Sequence, residues 1–92
     1  MDREAIIEAI NSIFRDRFEF EAEELTPEKR IVDDLGLDSL DIVDMIVGLQ
    51  QKFGIMLREN KEIREVKTLD DVYTLFEKLI AEHPEIADKL GK

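Results

Sequence analysis

The sequence predicts an all-α fold, a small helical bundle of three main helices plus one short helix. Apolar residues recur at helical spacing in three separate stretches, and each stretch has recognisable start or stop residues. Nothing reads as a credible sheet. With 92 residues the chain has room for one core. A single domain over 1–92 is therefore expected, with its core at about 3–81 and a weakly ordered tail at 84–92.

The first helix is expected over about 2–17, where Ile6, Ile10, Ile13 and Phe14 line one side with Ile7 and Phe18 nearby. The segment "FEFEAEELTPEKR" then loses helical order, and Thr26-Pro27 reads as a turn or short helical start. So long a connection needs anchors, and Phe20, Leu25 and Ile31 are the candidates. A second helix should run over about 39–52 and stop near Phe53-Gly54, since glycine suits a left-handed C-terminal position. "LRENKEIRE" offers a short helix with Ile63 as its buried anchor. Thr68 opens the last helix, and Asp71 three residues on completes a capping box with Asp in place of Glu. Val72, Leu75, Phe76 and Leu79 give its apolar face, and His83-Pro84 ends it. Pro84 could begin one further turn in the tail.

Composition narrows the function. A net charge of −10 makes nucleic acid and anionic membrane surfaces poor partners, because both call for a basic surface. The same charge suits docking on basic patches of other proteins. There is no cysteine, which excludes disulfides, thiolate metal sites and a cysteine nucleophile. No apolar run approaches the roughly 20 residues that span a bilayer. "MDREAIIEAI" carries acids where an export signal needs a basic start, so a cytoplasmic, monomeric protein is expected.

The second helix has more apolar surface than a small bundle can bury. Ile42, Met45, Ile46, Leu49 and Phe53 fall within an arc of about 100°, the width of a core-facing stripe. Leu40, Val43 and Val47 form another, centred about 130° away, with Asp41 and Asp44 on its flank. Either the preceding loop covers this second stripe or it is a docking surface, with apolar anchors rimmed by acids. The acids along its edge favour docking.

Ser39 lies at the upstream end of that stripe. Asp38 as helix cap and Asp41 as its reciprocal partner explain the neighbouring carboxylates but not the hydroxyl. A calcium loop starting at Asp33 fails: Leu35 occupies a ligand position, Gly36 comes too early, and Asp44 stands where glutamate is needed. No metal is expected. A hydrolase elbow would need a second glycine, and the one histidine, His83, reads as a solvated helix end. Without a base the serine is no self-activated nucleophile, and no catalytic residue is assigned. In the first helical turn its hydroxyl is accessible. An attached phosphate there would meet free backbone N–H groups and the positive end of the helix dipole.

"DDLGLDSLDIVDMI" resembles the signature of acyl carrier proteins, roughly D-L-G-x-D-S-L followed by an acidic amphipathic helix. Asp34, Leu35, Gly36, Asp38, Ser39 and Leu40 match it, and the likeness extends over about 3–81. The resemblance implies a non-enzymatic carrier of fatty acid, lipid or polyketide-type biosynthesis. A carrier-protein synthase (phosphopantetheinyl transferase) would move 4′-phosphopantetheine from coenzyme A to Ser39, and the arm's thiol would hold acyl groups as thioesters. It further implies that Asp38, Leu40, Asp41, Val43, Asp44 and Val47 are read by partner enzymes, acyl-transferring and chain-extending, through basic docking patches. Ile42, Met45, Ile46 and Leu49, facing the first and last helices, would line an acyl-chain cleft.

Three departures from the family pattern point to a specialised rather than housekeeping carrier. Gln50, Gln51 and Lys52 stand where glutamates are common, Met56 and Arg58 replace an acid and a proline, and the stretch over 57–66 is one residue longer. Two alternatives stay open at this point, a peptidyl or D-alanyl-type carrier and an unmodified acidic adaptor.

Overall fold

The computed structural model describes residues 2–57 and 60–83, so Arg58 and the expected turn at Pro84 lie outside the described residues. Three α-helices form, α1 (Arg3–Phe18), α2 (Ser39–Phe53) and α3 (Leu69–Glu82), with 3-10 turns at Ala22–Glu24 and Glu62–Arg64. Among the described residues there is no strand, only an isolated bridge between Arg30 and Thr68.

Helix boundaries follow side-chain chemistry. Asp2 caps α1 by accepting from the Ala5 N–H at 2.9 Å, which sets the helix one residue later than its periodicity suggests. At α2, Asp38 Oδ1 accepts from the Asp41 N–H at 2.9 Å while Asp41 Oδ2 accepts from the Asp38 N–H at 3.2 Å. Gly54 stops that helix in the left-handed region, at φ 70°. At α3, Thr68 and Asp71 form the expected capping box. The turn at Ala22–Glu24 was not legible, because Glu21 takes the capping place usually held by Ser, Thr or Asp; its N–H donates to Glu24 Oε1 at 3.3 Å.

The core gathers Ile6, Ile10, Ile13 and Phe14 of α1, Met45, Leu49 and Phe53 of α2, and the whole inner face of α3. Phe53 and Phe76 meet with ring centroids 4.6 Å apart, in the tilted geometry aromatic pairs favour. Tyr73 is also fully buried, a position the apolar spacing passes over. Its hydroxyl donates to Asn11 Oδ1 on α1, and that bond lets a phenol enter the core. Burial pushes the Tyr73 hydroxyl above its ordinary pKa.

The long connection before α2 is held by apolar anchors and by backbone bonds. Leu25, Ile31 and Leu37 are buried, and Phe20 and Leu35 pack half-buried against the core. The Ile31 N–H donates to the Lys67 carbonyl at 2.8 Å, and the Leu69 and Asp70 N–H groups donate back to Lys29 and Pro27 at 3.0 and 2.9 Å. The loop is thereby stitched to the first turn of α3. Ile63 is buried as expected, anchoring the Glu62–Arg64 turn.

Asp71 works twice at this stitch, because its Oδ2 also accepts from the Lys67 N–H at 2.9 Å and the Thr68 N–H at 3.1 Å. These two backbone donors, Lys67 first, hold its carboxyl below the usual carboxylate range. A depressed folded-state pKa means stability that is present above the unfolded value of about 4 and lost as pH falls through the lower folded value. Asp71→Ala should therefore melt below the wild type near neutral pH, with the gap closing as the pH drops below about 4, as followed by circular dichroism melts across pH.

Candidate functional site

The site is built by the chain reversal that precedes α2. Asp34 Oδ2 accepts from the Arg30 N–H at 2.8 Å, and the Asp34 and Leu35 N–H groups donate to the Arg30 carbonyl at 2.9 and 3.0 Å. Gly36 then adopts φ 71°, a conformation that any side chain would strain. The turn delivers Leu37 into the core, where it is 5% exposed, and its N–H closes on the Ile31 carbonyl at 3.2 Å. Asp38 comes next as the cap, and Ser39 is the first residue of α2.

Ser39 is exposed, and its hydroxyl makes no hydrogen bond among the described residues. The first N–H groups of any helix lack partners within it. Here the capping box uses those of Asp38 and Asp41, which leaves those of Ser39 and Leu40 beside the hydroxyl. These two donors and the helix dipole suit an anionic group carried on the serine.

The second apolar stripe of α2 is uncovered. Leu40 is 78% exposed, Val43 58% and Val47 37%, so the preceding loop does not mask them. Asp38 is exposed and Asp41 half-buried at the upstream end. Asp44 differs from both, because Arg17 of α1 reaches across and pairs with its Oδ1. The same guanidinium donates to Gln51 Oε1 at 3.1 Å. Gly48 lies buried beneath this side chain, where a Cβ would come within 2.6 Å of Arg17 Nε. Neither Arg17 nor Gly48 was singled out from the sequence, since a contact across 27 positions leaves no periodic trace.

The opposite flank of α2 borders a cavity of about 810 Å³. Ile42, Met45 and Ile46 line it from α2, opposite a facing wall drawn from other segments. It consists of Arg30, Ile31, Val32 and Asp33 from the loop, Ile63 and Arg64 from the second 3-10 turn, and residues 66–68 with Asp71 at the start of α3. Leu49 does not line this cavity; it is fully buried and packs into the core instead. The reason is rotational. Met45, Gly48, Leu49 and Phe53 turn towards the other helices, which leaves Ile42 and Ile46 half-buried at the cavity.

Among the described residues no group of His, Cys, Asp or Glu side chains is arranged to hold a metal ion, and no helix is long and apolar enough to cross a membrane. His83 closes α3 through its backbone N–H, donated to the Leu79 and Ile80 carbonyls.

The phosphopantetheine attachment site family matches residues 8–76 of this chain. The chain belongs to that family, the acyl carrier proteins. It is 38% identical over 77 residues to the acyl carrier protein of Coprothermobacter proteolyticus, covering 84% of this chain and 93% of that one. It is also 38% identical over 88 residues to the meromycolate extension acyl carrier protein of Mycobacterium leprae, covering 96% of this chain and 76% of that one. A solved acyl carrier protein structure from Mycobacterium tuberculosis superposes with a TM-score of 0.66 at 33% identity, covering 75% of this chain and 90% of that one. Acyl carrier proteins bear a covalent 4′-phosphopantetheine and serve a phosphopantetheinyl transferase and acyl-handling enzymes; they are carriers rather than catalysts.

The division of α2 into exposed strip and buried core has a direct consequence for stability. Val43→Ser on the exposed strip should change unfolding free energy by no more than about 0.5 kcal/mol. Met45→Ala, at a residue 1% exposed, should cost about 2–5 kcal/mol. Urea denaturation of the two variants checks the contrast.

Proposed function

We propose that Ser39 is the attachment point of the 4′-phosphopantetheine arm, and that this acyl carrier protein is dedicated to a specialised lipid pathway. The observation that carries the first part is the unbonded, exposed Ser39 hydroxyl at the first position of α2, beside the unspent N–H groups of Ser39 and Leu40. Those two donors would steady the phosphodiester, and the capping acids fix the backbone that presents them. When bound, the arm supplies the terminal thiol on which acyl groups are held as thioesters.

The surrounding residues divide the remaining work. Leu40, Val43 and Val47 offer apolar anchors to a partner, and Asp38 and Asp41 steer a basic docking face toward Ser39. Asp44 belongs to the same rim but shares its charge with Arg17. The cavity beside Ile42, Met45 and Ile46 would shelter an acyl chain, with the unbranched Met45 able to adjust to different chains. The likeness to meromycolate extension carriers over 88 residues supports a long-chain, elongating pathway. The absence of acids at the downstream end of α2, where Gln50, Gln51 and Lys52 stand, supports dedicated partners over general ones. We further read the carrier as acting as a monomer in the cytoplasm.

Incubation with coenzyme A and a broad-specificity carrier-protein synthase tests the attachment. Intact mass spectrometry should show one added phosphopantetheine on the wild type and none on Ser39→Ala. Addition to the alanine variant would place the arm elsewhere, and no addition to either would remove the carrier reading.

A further inference from the structure

Arg17 is seated on α2 by three separate features. Asp44 and Gln51, seven positions apart and so on one side of the helix, grip its guanidinium from either end. Between them Gly48 lacks the side chain that would exclude it, since a Cβ would stand 2.6 Å from Nε and 3.1 Å from Cδ. An exposed ion pair adds little to stability. Its effect on the surface potential is larger, because it places a cation on the acidic rim beside Asp44.

Along that rim the negative charge fades. Asp38 and Asp41 at the upstream end carry no cationic partner among the described residues. Downstream, Asp44 is paired with Arg17, and the next positions are Gln51 and Lys52. Arg17 and Lys52 border one shallow depression together with Ser12, Asp16, Gly48 and Gln51. A partner's cation would be attracted at the Ser39 end and would find the acids Asp16 and Asp44 offset by Arg17 and Lys52 one or two turns further on.

Resting on the docking reading above, we propose that Arg17 is a specificity-determining residue. It withdraws Asp44 from the acidic rim, so that this carrier is read by protein partners whose cationic patch is confined to the Ser39 end of α2. Partners whose cationic patch runs the length of the helix are disfavoured.

The test uses loading by a carrier-protein synthase whose docking face is basic along its length, with coenzyme A, at graded salt. Arg17→Gln frees Asp44, and kcat/KM should rise about threefold or more at low salt, through KM and with a steeper salt dependence. Arg17→Lys keeps the charge and should stay near the wild type. Adding Asp44→Asn to Arg17→Gln restores the wild-type balance of charge and should return loading to the wild-type level. Circular dichroism melts confirm that each variant is folded. The docking reading is checked separately by Asp41→Lys, which should slow loading. If Asp41→Lys slows it while Arg17→Gln leaves kcat/KM unchanged or lowers it, the role of Arg17 is overturned and the docking face stands. If Asp41→Lys has no effect, the docking face falls and the role of Arg17 with it.

Discussion

The arrangement depends on one constraint, the left-handed turn at Gly36 between a stitched loop and a capped helix. Upstream, backbone bonds tie residues 27–31 to the start of α3 and fix where the loop can travel. Downstream, Leu37 must reach the core and Asp38 must cap α2. Only a residue tolerant of positive φ lets the chain satisfy both within so few positions. Once it does, Ser39 falls on the first helical residue with its hydroxyl outward. The residues around the serine are therefore frame rather than chemistry: Asp34 closes the turn, Leu37 anchors it, and Asp38 with Asp41 fixes the helix start.

Helix α2 then presents three different sides. Met45, Leu49 and Phe53 join the core, Ile42 and Ile46 flank a cavity, and Leu40, Val43 and Val47 face solvent. A helix with a single apolar stripe could only be packed, whereas this one keeps apolar surface beyond what the core takes up. Gly48 lets Arg17 close the boundary between the core side and the solvent side. The carrier's acidic character is accordingly uneven. It is concentrated near Ser39 and fades along the helix.

Much of this was legible in the sequence because it is local. Caps at Asp38 and Thr68, the stop at Gly54 and the apolar periodicities are written within a few residues of one another, and the helices follow them closely. The excess apolar surface on α2 was legible too, since it needs only the helical angle between positions. What escaped depends on contacts between distant segments. The cavity wall comes from residues 30–33, 63–64, 66–68 and 71 rather than from α1, and Leu49, expected at the cleft, packs in the core. Tyr73 enters the core because Asn11 accepts its hydroxyl, a pairing over 62 positions. Arg17 reads as one more helix-end cation until Gly48 and Asp44 are seen beneath it.

The most direct test compares two glycines held at the same left-handed φ. Gly36 and Gly54 have φ of 71° and 70°, one before α2 and one after it. Replacing either by alanine should cost a similar amount of stability, on the order of 1 kcal/mol. If the turn at Gly36 is what positions Ser39, the rate of phosphopantetheine transfer should fall in Gly36→Ala and stay near wild type in Gly54→Ala. Equal loss of transfer in the two variants, or none in either, would contradict that account.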